Sequence, residues 1–215
     1  DALISGLTKN YVATIKPALQ IIGTEPGVRR VAGMYMMITK KGPVFFGDTT
    51  VNENPSVQDL VDITVLIERS VKEFIGDPRV ALLSYSNFGS YEGLIPEKTR
   101  AAVRILHDQY SDMVVDGEMQ ANFAINTALL KDNFPFSSLN GKPANTLIFP
   151  NVESGNIADK LLQEFFAAPD ATSQGHMAYT LQCMLAYCGM RTTTTDPSFF
   201  SAEWIATYWK RLSTD

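Results

Sequence analysis

An α/β fold, with a mainly parallel or mixed sheet flanked by helices, is what this sequence predicts. From Arg79 onward, three short apolar segments are each followed by a polar loop and by residues at helical spacing, making three successive β-loop-α units. Upstream, two apolar segments flank Lys40-Lys41-Gly42 as the arms of a hairpin would. The units imply parallel strands covered by helices, and the hairpin adds mixed or antiparallel pairing.

Taken in order, Thr14 to Ile22 carries Ile15, Ala18, Leu19 and Ile22 on one helical face, and Gly23 to Gly27 ends it. Val31 to Ile38 and Pro43 to Phe46 read as the hairpin strands. For the next helix, Asn54 is the expected cap and Pro55 the first residue; Ser56 with Asp59 offers a second reading as a capping box. Its buried face is expected at Leu60, Ile63, Ile67, Val71 and Phe74. Past Gly76-Asp77-Pro78, Arg79 to Ser84 reads as a strand, Tyr85 to Gly93 as a loop, and about Glu97 to Tyr110 as a helix. Met113 to Val115 reads as the second strand of the series, with a helix over about Ala121 to Lys131. Asn145 to Phe149 is the third, with a helix starting near Gly155. Further on, Ala178, Leu181, Met184 and Leu185 recur at helical spacing, as do Trp204, Ile205, Tyr208 and Leu212, with a linker over Thr192 to Thr195 and Pro197.

Composition narrows the function classes. The chain has 215 residues, 45% hydrophobic and 19% charged, which suits a globular domain with a sizeable core. A net charge of -5, with Arg29-Arg30 and Lys40-Lys41 as isolated basic pairs, argues against nucleic-acid binding, which needs clustered cations. Cys183 and Cys188 fit neither a zinc motif nor a disulfide framework, so a reducing cytoplasm is expected. The first residues lack a signal-peptide pattern, and the stretch Met177 to Met190 is too short to cross a bilayer, so a soluble protein is expected. His107 and His176 have no neighbouring ligands at metal spacing, and no metal site is expected. Neither GxSxG nor GxGxxG occurs.

Chemistry concentrates in the loops. Met113 to Gln120 places Asp116 and Glu118 around Gly117, where the apolar strand is expected to end; that is the sheet edge at which open α/β folds bind ligands. The other reading of the two acids is a solvated or helix-capping pair. Ser84, Ser86, Asn87, Gly89 and Ser90 form a loop of small residues whose amides suit a phosphate or thioester, since helix starts present free N–H groups. It lacks the GKS or GKT ending of a phosphate-binding P-loop, and an ordinary turn uses the same residues. Ser154-Gly155-Asn156 carries the same two readings, with Ser154 as a simple cap. The residues alone identify no catalytic group.

Four motifs in order go further: GDTTVNENP (Gly47 to Pro55), PRVALLSYSNFGS (Pro78 to Ser90), VDGEMQAN (Val115 to Asn122) and NTLIFPNVESGNIADKLLQE (Asn145 to Glu164). With DALISGLTKN and KPALQIIG near the start, they resemble the phosphate acetyl/butyryltransferase family over residues 1–164. The stretch VAGMYMMITKKGPVFFGDTTVN is more similar still to the carboxyl-terminal, transacetylase-like domain of bacterial NADP-dependent malic enzymes. The resemblance implies the second, inserted subdomain of a two-subdomain fold, with acyl-CoA or acyl phosphate in the cleft between the two. It implies acetyl-CoA or CoA as ligand and a homo-oligomer; NADP and a divalent metal belong only to a malic enzyme part outside this chain. The ligand-binding candidates are then Ser84, Ser86, Asn87, Gly89, Ser90, Asn151, Ser154, Gly155 and Asn156. Asp116 and Glu118 are expected to be structural, with Gln120 and Asn122 adding hydrogen bonds.

Departures from the family pattern shape the functional expectation. Glu164 stands where active members carry a substrate-holding arginine, and Asp159 where a tyrosine is usual. The family's closing serine, arginine and aspartate have no match over residues 165–215, a tail expected to be helical. The expectation is therefore a partial domain of a malic enzyme that binds acyl-CoA for regulation or supports oligomerisation. The alternative is a phosphate acetyltransferase moving acetyl between CoA and phosphate.

Overall fold

Helix boundaries here follow side-chain capping chemistry, and several fall elsewhere than spacing alone implies. The computed structural model describes residues 11–39, 42–166 and 180–181. In chain order these form α1 (Tyr11–Ile21), β1 (Met34–Thr39), β2 (Gly42–Gly47), α2 (Val57–Ile75), β3 (Val80–Leu83), α3 (Leu94–Gln109), β4 (Val115–Met119), α4 (Ala121–Ile125), α5 (Thr127–Asn133), β5 (Thr146–Ile148), α6 (Val152–Phe166) and β6 (Thr180–Leu181).

The sheet has the order β4-β3-β5-β2-β1-β6. The neighbours β4/β3, β3/β5 and β5/β2 are parallel, whereas β1 is antiparallel to both β2 and β6. The expected α/β class is borne out, with the hairpin supplying the antiparallel part. Period-two alternation divides two cores: Val80 and Leu82 face α2 and α3, while Ala81 and Leu83 face the side covered by α4 to α6. On the first face lie Leu60, Ile63, Ile67 and Val71 of α2, as expected, with Phe74 partly buried and its ring 6.1 Å from that of Phe45.

Ser56, not Asn54, caps α2. Its hydroxyl accepts from Asp59 N at 3.2 Å, and the Asp59 carboxylate accepts from Ser56 N at 3.0 Å. The reciprocal bonds between Ser56 and Asp59, a capping box, fix the start of the helix at Val57. The Asn54 carboxamide accepts instead from Lys98 Nζ at 3.2 Å. The expected helix over 121–131 is two helices broken at Asn126, whose side chain leaves the helical path to accept from Leu129 N at 3.1 Å. α3 begins at Leu94 because Pro96, in the first turn, lacks only an N–H that would be orphaned anyway.

α6 likewise begins ahead of Ser154: Asn151 Oδ1 accepts from Ser154 N at 2.9 Å, so Asn151 rather than Ser154 is the capping side chain. The largest correction concerns β4, which runs through Asp116 and Glu118 instead of ending before them, with all five residues buried. Within the stretch expected to be helical around Leu181, Thr180–Leu181 pairs as a strand with Met37 and Met36. The remaining helices expected beyond residue 166, and both cysteines, lie outside the described residues.

Candidate functional site

Parallel strands put their carboxyl ends on one edge, and here four loops converge there. Leu82, Ile148 and Gly47 are paired in register across β3, β5 and β2, so the loops beginning at Ser84, Phe149 and Asp48 leave the sheet level with one another. The turn at Gln120 leaves β4 beside the first of them. This is the edge at which open α/β sheets take ligands.

Glu118 organises one side of it. Between Leu82 and Leu83 the register with β4 shifts, leaving Glu118 as the extra residue of a bulge, and a bulge re-aims its side chain. Fully buried, its Oε1 accepts from Ser86 Oγ at 2.9 Å, Gly89 N at 2.8 Å and Arg100 Nη2 at 3.3 Å, and its Oε2 from Arg100 Nε at 2.9 Å. Burial alone would push the Glu118 carboxyl up; the bonds from Arg100, Gly89 and Ser86 outweigh it and hold the carboxyl below the usual glutamate value. Arg100 is correspondingly pushed up, chiefly by its hydrogen bond to Glu118. Gly117, at φ +144°, precedes it, and a Cβ there would lie 2.5 Å from Leu82 O, so only glycine fits.

The same network absorbs most of the loop expected to touch ligand. Ser86 Oγ accepts from Tyr91 N while donating to Glu118, and Ser90 Oγ accepts from Asn87 N. Gln120 is bonded three times to the loop: its N to Asn87 Oδ1, its Nε2 to Tyr85 O, and its Oε1 from Asn87 Nδ2. Ser84 Oγ stands apart, buried and without a hydrogen-bond partner, as does Thr49 Oγ1. Thus Ser86, Asn87, Gly89, Ser90, Glu118 and Gln120 come together, and the loop exposes Ser90, Glu92 and two tyrosines. Tyr85 and Tyr91 are 55% and 59% exposed.

Asp116 is not at the edge. Its Oδ1 accepts from Gly117 N at 2.9 Å and its Oδ2 from Ser137 Oγ at 2.7 Å and Ser138 N at 2.9 Å, which anchors the turn before β5. Asn122 is exposed on α4 and its side chain joins no hydrogen bond. Asn151, Ser154, Gly155 and Asn156 cluster in the first turns of α6, next to the loop after β2. Gly155 allows that approach, since a Cβ on it would meet Thr49 Cγ2 at 3.0 Å.

Two residues at the edge went unread. Asp48 Oδ1 accepts from Gly33, Thr50 and Val51 N–H groups, and Oδ2 from Asn52 N at 2.8 Å. The signal was available, because an Asp followed by polar residues just past an apolar run is how such side chains cap turns. Lys98 had no signal: its Nζ donates to Asn54 Oδ1 and to Pro150 O, each at 3.2 Å, joining the loops after β2 and β5. Burial pushes the Lys98 ammonium below its usual value. Among the described residues no group of His, Cys, Asp and Glu is arranged to hold a metal ion.

The motifs and the fold are those of a known family, whose sequence profile, described as phosphate acetyl/butaryl transferase, matches residues 1–172. The chain belongs to the phosphate acetyl/butaryl transferase family. It is 35% identical over 175 residues to the phosphate acetyltransferase of Clostridium acetobutylicum, covering 78% of this chain and 52% of that protein. It is 37% identical over 163 residues to the NADP-dependent malic enzyme of Haemophilus influenzae, covering 76% of this chain and 21% of that one. A phosphotransacetylase from Streptococcus pyogenes shares the fold with a TM-score of 0.69 at 34% identity, over 74% of this chain and 49% of that structure. The chain thus spans about half of these two transacetylases and a fifth of the malic enzyme. Both kinds of relative resemble it to the same degree. Among the described residues no helix is long and apolar enough to cross a membrane.

Proposed function

We propose that this chain is the acyl-CoA-binding, transacetylase-like portion of an NADP-dependent malic enzyme, serving regulation or assembly rather than acyl transfer. One observation carries the choice: the buried carboxylates Asp48, Asp116 and Glu118, on and behind the loop edge, are already committed. Asp48 holds the GDTTVN loop, Asp116 the turn at Ser137-Ser138, and Glu118 is spent on Arg100 and the loop after β3. Taking a proton from the CoA thiol requires a base within reach of it, and a carboxylate saturated by internal donors is a scaffold instead. The exposed Glu164 of α6 and the buried Asp159, in place of the arginine and tyrosine of the family pattern, agree with this reading.

The second reading, a phosphate acetyltransferase, is favoured by the matches to phosphotransacetylases of both sequence and structure. There a CoA thiolate would attack acetyl phosphate, with fixed donors stabilising the developing charge. An assay of acetyl-CoA formation from CoA and acetyl phosphate separates the two. The full chain is expected to show no turnover above background, and turnover lost on mutation within Ser84 to Ser90 would establish the second reading.

A further inference from the structure

Lys98 is a cation held by neutral partners. Its Nζ donates to Asn54 Oδ1 and to Pro150 O, and no ion pair among the described residues includes it. Lys142 and Lys160, by contrast, each meet a carboxylate. Lys16, Lys72, Lys131, Lys142 and Lys160 are exposed, whereas Lys98 is half-buried. Burial penalises an ammonium that has no counter-charge, which is why Lys98 lies below its usual value.

The two oxygens also set the direction of the amine. An ammonium carries three N–H donors, and Lys98 directs two of them to Asn54 and Pro150. Loss of the third proton leaves a neutral amine that still satisfies both acceptors, with its lone pair on the side facing away from them. Desolvation together with such positioning is how a lysine becomes a nucleophile. Asn54 and Pro150 belong to the loops after β2 and β5, which leave the sheet level with one another, so the amine stands at the carboxyl edge.

We propose that Lys98 is an acylation site, where its amine takes the acyl group of an activated donor, a thioester or an acyl phosphate. The Nζ lone pair attacks the carbonyl carbon and a C–N bond forms. The C–S bond of the thioester, or the C–O bond of the acyl phosphate, breaks with its electron pair on the leaving sulfur or oxygen, and one amine proton passes to solvent. The resulting amide is uncharged and offers a single N–H to two acceptors, so the link between the loops after β2 and β5 is weakened. A bound donor rests on the acyl-CoA reading above, whereas an acyl phosphate reaching the edge from solution suffices without it.

The test is peptide mass spectrometry of the full chain after timed exposure to acetyl-CoA or to acetyl phosphate, each with and without an excess of CoA lacking its sulfur. Lys98 is expected to be acetylated several-fold faster than the exposed Lys72 and Lys142. Asn54 is itself exposed, so Asn54→Asp keeps the fold and the acceptor while setting a carboxylate against the ammonium. That variant is expected to slow Lys98 about tenfold and to leave Lys72 and Lys142 unchanged. Suppression of the acetyl-CoA reaction by the competitor supports the site with a bound donor, and a Lys98-selective reaction without suppression supports it with a donor from solution, whatever becomes of the acyl-CoA reading. Acetylation of Lys98 no faster than of Lys72 and Lys142 with both donors, or an unchanged rate in Asn54→Asp, overturns the site and leaves the acyl-CoA reading to its own titration.

Discussion

At Glu118 two oxygens receive four hydrogen bonds, two of them from Arg100, with no contact to water. Replacing one partner of such a pair leaves the other uncompensated, so Glu118→Gln is expected to destabilise the fold by roughly 2 to 3 kcal/mol in chemical denaturation. The figure sits below that of a fully buried pair because the Arg100 side chain is 25% exposed. Since the Glu118 carboxyl is held below its ordinary value of 4.5, its stabilising contribution is present above that pH and is lost as the pH falls through the folded-state value. Asp59 is lowered too: burial opposes ionisation there, and the Ser56 and Arg30 contacts outweigh it. Melting curves from pH 7 down to pH 3 should therefore fall less steeply for Glu118→Gln than for the unaltered chain, with the Asp59 part remaining. Equal slopes would contradict the ion-pair role. Gly117→Ala places a Cβ against Leu82 O at a φ that side chains rarely adopt, and is expected to cost at least about 3 kcal/mol, read as lost soluble expression or a lowered melting temperature.

Helices show where local chemistry decides a boundary. Ser56→Ala removes the hydroxyl that accepts from Asp59 N, and is expected to lower stability by about 1 kcal/mol, a shift of a few degrees in melting temperature. Asn54→Ala should leave the start of α2 intact, because Asn54 does not cap it. The apolar periodicity of α2 and α3 was legible since Leu60, Ile63, Ile67 and Val71, and Ala102, Val103 and Leu106, line one core. The break at Asn126 was not, because Ala121 to Lys131 keeps helical spacing through it and only the side-chain bond to Leu129 N diverts the backbone.

Across the whole molecule, the hairpin and the parallel strands were readable because alternation and turn residues are local signals. β4 was misread for a physical reason: Asp-Gly-Glu looks like a turn, and its burial depends on Arg100, 18 residues earlier, and on Ser137, 21 residues later. Lys98 meets Asn54 and Pro150 across 44 and 52 residues, which no window of sequence displays. Of the residues expected at the candidate site, Ser86, Asn87, Gly89 and Ser90 do gather at the carboxyl edge, but their polar atoms hold one another. On the proposed reading, that division, a pre-formed edge with Asp48 and Glu118 consumed, separates binding from transfer. The most direct measurement is calorimetric titration of the full chain with acetyl-CoA, run beside the transfer assay on the same sample. Saturable heat with no acetyl-CoA turnover is the predicted result, and turnover, or the absence of any heat at acetyl-CoA concentrations well above the physiological range, would contradict it.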